Sequence, residues 1–426
     1  MYAKDSVSNF SEQLKKYTAY VEEQIRTVIG TVGPRESGED SERKAQDYIV
    51  EHMTGTADTV ERESFKLHPK AFMGWVLIDG ICMLAAAILM LLSFFSVPGF
   101  GTWAVVVALI LTLVSVVCIL GEFLFYKELL DPLFPERDSS NVICTRKATG
   151  ETKRRVILSG HIDSAYEWRY TFLGGGRCLT AVIAAGIVCL VADLVIAILM
   201  LAIPDIAEIT ALKVLVLIFL FLSLPVMVLI INFLNWKLVV PGANDNLTGV
   251  FASMAVMQYL VDNDIRFENT EVVSISMACE EAGLRGAKAF AAAHAKEFDD
   301  SGVETIAICT DTLRDFDDMG IYNKDMSGTV KLDPKVAGLV REASKTAGLD
   351  LPYANVFFGS SDAAALAQGG MKACCLAAMD PTPARYYHTR LDTEDNLDPK
   401  TIEAGISTLL EAVYLFDEKG LDYEEA

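Results

Sequence analysis

Four long stretches of apolar residues dominate the hydrophobic pattern of this chain. They cover residues 71–97, 103–125, 178–203 and 211–234. Each exceeds the roughly 20 residues that an α-helix needs to cross the hydrocarbon core of a bilayer. Only short loops separate the first stretch from the second and the third from the fourth. The pattern therefore predicts four transmembrane helices arranged as two tight hairpins.

The charges beside these stretches predict their orientation. The loops at 98–102 and 204–210 contain no Lys or Arg, whereas basic residues flank the other ends of the spans. By the positive-inside rule, both termini and all large polar segments are expected to be cytoplasmic. The polar N-terminal region also lacks the pattern of a secretory signal. We therefore expect an integral membrane protein with its polar domain in the cytoplasm.

Outside the spans, segments with helical periodicity alternate with short strand-like segments. Helices are predicted at residues 7–31, 42–53, 248–261, 284–298, 334–347, 361–367 and 399–416. Strands are predicted at residues 59–67, 140–145, 155–159, 271–279, 305–310, 354–358 and 373–378. This alternation is typical of an α/β fold, here a three-layer sandwich with a largely parallel central sheet.

The two hairpins interrupt this predicted α/β domain. Its pieces would be residues 1–70, 127–177 and 236–426, with the first hairpin at 71–126 and the second at 178–235.

Net charge and cysteine usage narrow the functional classes. A formal charge of -21 argues against a nucleic-acid partner, which would need clustered Lys and Arg. Nine cysteines without C-x-x-C spacing fit a reducing compartment.

Chemically versatile residues recur at predicted strand ends and in loops. His161 and Asp163 follow one apolar strand, and Asp311 follows another. Asp245 lies in a Gly- and Asn-rich turn before a helix, and His388 lies in a loop after a Pro-rich segment. Each alone has an ordinary explanation, such as a helix N-cap for Asp245. Ligands gather at the carboxyl ends of strands in open α/β sheets, so the combination indicates a site.

The adjacent pair Glu280 and Glu281 ends a further apolar strand. Neighbouring residues at a strand end cannot both point the same way. One carboxylate can therefore bind a metal ion while the other transfers protons, a division that metal-assisted hydrolysis requires. A solvated surface pair is the alternative interpretation.

Taken together, these motifs resemble a known family. The order H-x-D, G-A-x-D-N-x-x-G, E-E-x-G, a strand-terminal Asp and H-T-x-x-D-T is similar to that of the M28 family of dinuclear zinc peptidases. The segment Gly33-Pro34-Arg35-Glu36-Ser37-Gly38 also resembles the start of that domain. The resemblance extends over essentially everything outside the four spans.

The resemblance implies a role for each motif residue. His161 and Asp311 would hold one zinc ion, Glu281 and His388 would hold the other, and Asp245 would bridge the two. Glu280 would be the general base, and Asp163 would orient His161. Tyr387 could donate a hydrogen bond to the developing oxyanion, although a packing role is equally open. Mixed N and O ligands would also accept Co or Mn.

The expected activity is that of a membrane-embedded exopeptidase, either an aminopeptidase or a dipeptidase, acting on a peptide substrate. Two alternatives remain: a glutaminyl cyclase-like enzyme that uses one zinc, and an inactive membrane scaffold or receptor. In soluble members of the family that the motifs resemble, a short loop separates the H-x-D and G-A-x-D motifs, whereas here the second predicted hairpin lies between His161 and Asp245. We therefore expect the site close to the cytoplasmic membrane face, where the spans either guide apolar substrates from the bilayer or only anchor the enzyme.

Overall fold

The computed structural model describes residues 2–203, 205–356 and 359–423. The α-helices there are α1 (Phe10–Thr31), α2 (Asp40–Met53), α3 (Ala71–Phe94), α4 (Thr102–Cys118), α5 (Arg169–Ala202), α6 (Thr210–Ile231), α7 (Thr248–Asp262), α8 (Arg285–Asp300), α9 (Pro334–Thr346), α10 (Asp362–Gln368) and α11 (Pro399–Lys419). The strands are β1 (Thr59–Leu67), β2 (Arg137–Arg146), β3 (Arg154–His161), β4 (Tyr166–Trp168), β5 (Leu234–Val239), β6 (Thr270–Met277), β7 (Glu304–Leu313), β8 (Met319–Asp325), β9 (Val330–Lys331), β10 (Tyr353–Asn355) and β11 (Ala373–Ala378).

The chain separates into two compact units. The sheet unit contains Met1–Pro69, Glu136–Tyr166 and Leu238–Ala426, and the helical unit contains Lys70–Pro135 and Glu167–Lys237. Each unit is thus built from segments that are distant in sequence. β4 and β5 form a separate two-stranded sheet.

A mixed sheet organises the sheet unit. Its strand order is β1-β2-β6-β3-β7-β11-β8-β10, and β9 pairs with β8 at its side. The neighbours β6, β3, β7 and β11 are mutually parallel. The pairs β1–β2, β2–β6 and β11–β8 are antiparallel. The carboxyl ends of the four parallel strands therefore meet at one edge.

Both faces of the central strands are buried. In β3, Val156 and Leu158 join the main hydrophobic core, whereas Ile157 between them is buried on the opposite face. Helices α1, α2, α7, α9 and α11 contribute to that core. Helices α8 and α10 pack against each other and contact the strands from the other side. This two-sided burial explains the continuous apolar runs of these strands.

The helical unit consists mainly of α3 to α6. Four helices in the described part of the chain are long and apolar enough to span a membrane: Ala71–Phe94, Thr102–Leu124, Arg169–Ala202 and Thr210–Ile231. Small and aliphatic residues such as Ala86, Ala108 and Leu220 form their mutual core. Large apolar side chains including Val117 and Ile218 stay exposed on the outside of the bundle, as expected for helices whose outer faces contact lipid.

The fold class predicted from the sequence is confirmed: helices flank a mostly parallel central sheet. Some elements differ from the prediction. The antiparallel β8–β9 pair was not predicted, and the strand predicted at 354–358 is observed as Tyr353–Asn355, with residues 357 and 358 outside the described part of the chain. Helix α5 begins at Arg169 rather than at residue 178, so its first residues precede the predicted apolar stretch; Gly175 interrupts it with a φ of 66°.

Candidate metal centre

Four of the predicted site residues lie at the edge where the parallel strands end. His161 is the last residue of β3, Glu280 and Glu281 follow β6, and Asp311 lies near the end of β7. β3 pairs in parallel with both β6 and β7. The shared strand direction therefore brings these side chains to one place.

Asp245 reaches the same edge from the turn before α7. The carboxylate of Asp392 accepts hydrogen bonds from the backbone nitrogens of Asn244 (3.0 Å) and Asp245 (3.1 Å), and from the Asn244 side chain (2.7 Å). The turn begins at Gly242 with a φ of 61°, where a Cβ would lie 2.8 Å from the Arg35 guanidinium. The turn therefore depends on both Gly242 and Asp392.

The carboxylate of Asp245 lies between the two histidines. Its Oδ1 is 3.1 Å from Nε2 of His161, and its Oδ2 is 3.0 Å from Nε2 of His388. Oε1 of Glu281 lies 3.2 Å from the same His388 nitrogen. Two groups of potential metal ligands thus share Asp245: one with His161 and Asp311, the other with Glu281 and His388.

Glu280 borders both groups. Its Oε2 lies 3.9 Å from Nε2 of His161, and it forms a further potential ligand group with His161 and Glu281. The side chain is 9% exposed. Glu280 therefore lies beside the centre, close enough to act on a molecule bound there.

The carboxylates of the centre differ in the direction of their pKa shifts. Burial raises the pKa of Glu280 well above its usual range; the neighbouring carboxylates add to this shift, and His161 opposes it. Burial and the charge of Asp245 raise the pKa of Asp311 to about 7. Burial also opposes ionisation of Asp245, but its hydrogen bonds to His161 and His388 dominate, so its pKa lies below the usual range.

This donor set fits divalent metal ions. Buried carboxylates that repel one another are stabilised by a nearby positive charge. Imidazole nitrogens and carboxylate oxygens are established zinc ligands, and they also suit Co and Mn. The residues present therefore match the metal centre that the motifs predict.

Asp163 lies beside His161 and makes further contacts. Nδ1 of His161 lies 3.4 Å from Oδ1 of Asp163 and 3.3 Å from the Asp163 backbone carbonyl oxygen. The Asp163 carboxylate also accepts hydrogen bonds from the backbone nitrogens of Glu280 and Glu281, both at 3.0 Å, and from the Ser37 hydroxyl at 2.7 Å. Asp163 therefore holds the loop of the two glutamates in addition to lying beside His161.

Tyr387 lies next to the centre, with its ring stacked on His388 at a centroid distance of 4.0 Å.

Two further residues were not given roles from the sequence. Arg35 is fully buried and donates to the carbonyls of Ile162 and Gly242, each beside a ligand-bearing segment. Asp392 was part of the quoted H-T-x-x-D-T motif, which was the only signal that could have revealed it.

Residues 229–413 match the sequence model of peptidase family M28. The resemblance to family M28 is confirmed. The matched region contains Asp245, Glu280, Glu281, Asp311 and His388, whereas His161 precedes it. No curated protein matches this chain in sequence.

Solved structures with a similar fold include aminopeptidases and glutaminyl cyclases. The aminopeptidase from Aneurinibacillus sp. strain AM-1 is similar with a TM-score of 0.54 and 15% identity, covering 94% of this chain and 95% of that one. A glutaminyl cyclase from Bacteroides thetaiotaomicron gives 0.53, 14% identity and coverages of 94% and 97%. The zinc aminopeptidase BSAP from Bacillus subtilis gives 0.53, 13% identity and coverages of 93% and 94%. With the M28 match and the ligand cluster, this likeness supports a metal-dependent hydrolase of the peptidase type.

Proposed function

We propose that this protein is a membrane-embedded zinc exopeptidase, either an aminopeptidase or a dipeptidase. The observation that carries the proposal is the position of Asp245, whose two carboxylate oxygens face one histidine each, at 3.1 and 3.0 Å. A shared carboxylate is the arrangement that a pair of divalent ions requires. The M28 match supports the same reaction class.

Each half of the centre would hold one ion. His161 and Asp311 would bind the first, Glu281 and His388 would bind the second, and Asp245 would bind both. When bound, the ions would lower the pKa of a water molecule and polarise the scissile carbonyl group.

Glu280 would act as the general base. Its carboxylate lies beside the ligand groups, with Oε2 3.9 Å from Nε2 of His161, and would accept a proton from the attacking water and then deliver it to the leaving amine. Asp163 would hold the Glu280 backbone through its 3.0 Å hydrogen bond. Tyr387, stacked on His388, would donate a hydrogen bond to the oxyanion that develops on the substrate.

The four apolar helices support insertion into a membrane. The loop between α3 and α4 lacks Lys and Arg, as does the loop between α5 and α6, whereas Lys66, Lys70 and Lys127 flank the opposite ends of the first hairpin. We therefore place the M28 domain and both termini in the cytoplasm. Labelling of the C-terminal tail in sealed vesicles from the extracytoplasmic side would contradict this orientation.

A glutaminyl cyclase is the second candidate, because structures from Bacteroides thetaiotaomicron and Fimbriiglobus ruber with that activity share the fold. A single metal ion per chain would favour it. The five-residue ligand set with a shared Asp245 favours two ions and hydrolysis.

The decisive experiment measures metal content and peptide cleavage for the detergent-purified protein. We expect about two metal ions per chain and release of N-terminal residues from unblocked peptides. Glu280→Gln should lower kcat at least about 100-fold, since a general base contributes that much or more. Glu61→Gln, the same change at an exposed strand position, is the control and should retain activity. Cyclisation of N-terminal Gln without cleavage would instead establish the cyclase.

A further inference from the structure

Three consecutive backbone amides just beyond β6 donate to two buried carboxylates. The nitrogen of Cys279 donates to Oε1 of Glu42 at 2.9 Å. The nitrogens of Glu280 and Glu281 donate to Oδ1 and Oδ2 of Asp163, each at 3.0 Å. These residues lie beyond the sheet ladder, because β6 ends at Met277. Side-chain carboxylates therefore replace strand pairing in fixing this segment.

Glu42 connects this segment to two other parts of the sheet unit. Its Oε2 accepts hydrogen bonds from the backbone nitrogen of Gly38 (2.9 Å) and from the Ser139 hydroxyl (2.6 Å). The Sγ of Cys279 also lies 3.1 Å from Oε1. The side chain lies in the first turn of α2 and is 1% exposed. Each oxygen of Glu42 thus accepts a hydrogen bond from a different backbone amide.

Burying the Glu42 carboxylate costs free energy, because the carboxylate loses its hydration. Burial, together with the nearby charge of Asp163, raises the pKa of Glu42 to about 7. A buried carboxylate is retained only where hydrogen bonds offset its loss of hydration. Cys279, whose nitrogen it binds, has a φ of 57°, which non-glycine residues seldom adopt. The hydrogen bond to Glu42 therefore holds a conformation that the chain would not keep unaided.

We propose that Glu42 is a positioning residue that fixes the backbone at Cys279 and so sets the directions in which Glu280 and Glu281 leave the chain. Its catalytic consequence rests on the proposed function, in which Glu280 is the base. Its consequence for metal binding rests only on Glu281, which lies 3.2 Å from His388.

Glu42→Gln tests this role with little change in volume. Glutamine offers one oxygen acceptor, whereas the backbone amides of Cys279 and Gly38 donate to two different oxygens of Glu42. One of them must therefore lose its partner, in whichever orientation the new amide adopts. A displacement of about 1 Å at a catalytic group costs roughly 100-fold in rate. We expect kcat to fall by about 10- to 100-fold, with KM changed less than about threefold.

Glu411→Gln is the matched control. Glu411 is also 1% exposed, and its two oxygens accept hydrogen bonds from the backbone nitrogens of Ala3 and Lys4, each at 2.9 Å. The change removes the same type of bond at a place that carries no ligand of the centre. Both variants should lose similar thermal stability, but only Glu42→Gln should lose kcat.

The measurements are kcat, KM and Tm, together with zinc affinity from competition with a coloured chelator. Zinc should bind Glu42→Gln about tenfold more weakly than it binds wild type or Glu411→Gln. If kcat and zinc affinity are the same in both variants, Glu42 is merely structural and the proposal is overturned. If the wild type cleaves no peptide, the proposed function fails, and zinc affinity alone decides for or against Glu42. Should Glu42→Gln not fold, Glu42→Asp, which keeps both oxygens on a shorter side chain, is judged by the same criteria.

Discussion

Arg35→Met is expected to destabilise the sheet unit through the loss of one buried cation. The Arg35 guanidinium donates to the carbonyls of Ile162 (2.5 Å), Pro241 (2.6 Å) and Gly242 (2.8 Å), with a longer bond to Gly33 (3.2 Å). It is fully buried. Met preserves much of the length of the side chain but can donate none of these bonds.

The magnitude follows from two opposing contributions. A hydrogen bond from a charged donor stabilises by about 2 kcal/mol, so the three shortest bonds together contribute about 6 kcal/mol. Burial lowers the pKa of Arg35 from 12.5 to about 10, against the opposing charges of Asp163, Asp392 and Asp245. That shift corresponds to about 3 kcal/mol against the charged form, part of which the hydrogen-bond figure already includes. The net loss therefore lies between about 3 and 6 kcal/mol, or a Tm decrease of roughly 6 to 20 °C.

Thermal unfolding in detergent, followed by tryptophan fluorescence with and without added zinc, measures this loss. Arg146→Met is the control, because Arg146 is also buried and donates to backbone carbonyls of Leu260 and Ile265 away from the ligands. Both variants should melt earlier, but only Arg35→Met should also bind zinc more weakly. A Tm within 2 °C of wild type for Arg35→Met would refute the reasoning.

Three further predictions concern other parts of the chain. Chelation should lower Tm and added zinc should restore it, because ions that bind only the folded state stabilise it by mass action; an unchanged Tm would speak against a metal centre. The hydrogen bond from Arg266 lowers the pKa of Asp58 from 3.8 to about 2. The ionised Asp58 carboxylate therefore stabilises the folded protein above pH 4, and this contribution is lost as the pH falls through about 2. Asp58→Asn should therefore cost about 1 kcal/mol at pH 7, discounted for partial exposure, and the gap in Tm to wild type should shrink only below pH 4. Gly80→Ala should destabilise the helical unit, since the new Cβ would lie 2.6 Å from Ile231, whereas Gly30→Ala, with open space around it, should be neutral or stabilising.

The sequence predicted those features that local pattern encodes. Apolar length identified the four helices that are long and apolar enough to span a membrane, and apolar strands ending in His161 or Asp311 identified the edge of the sheet. The sequence separated Glu280 from Glu281 on the argument that adjacent residues diverge at a strand end; in the structure β6 ends at Met277, so a turn beyond the strand directs Glu281 towards His388 and Glu280 towards His161.

The motifs that contain Arg35 and Asp392 did not reveal which distant segments these residues contact. Arg35 binds carbonyls at Pro241 and Gly242, and Asp392 binds the turn at Asn244, across large sequence separations. Strand β8 was missed because its sequence, M-G-I-Y-N-K-D, contains Gly, Asn and Asp, which are depleted in strands. Such roles follow from which loops the fold brings together, so a single sequence does not reveal them.

The way in which the sheet unit closes around its two interruptions explains how it can contain them. At the first, β1 and β2 pair in antiparallel register up to Leu67 opposite Arg137, so the chain leaves and returns across one ladder. At the second, the nitrogen of Val240 donates to the carbonyl of Ala165 at 2.9 Å. The ends of each insertion are therefore already held together by the sheet unit itself.

Loop closure costs grow only slowly with length when the ends are fixed in this way. Arg35 reinforces the second closure, because it donates to Ile162 on one side of the insertion and to Pro241 on the other. His161 and Asp245 can consequently keep their 3.1 Å approach although two long apolar helices separate them in sequence. On this reasoning the candidate metal centre depends on the closure at Ala165 and Val240, and the inserted helices are not needed to hold its two sides together.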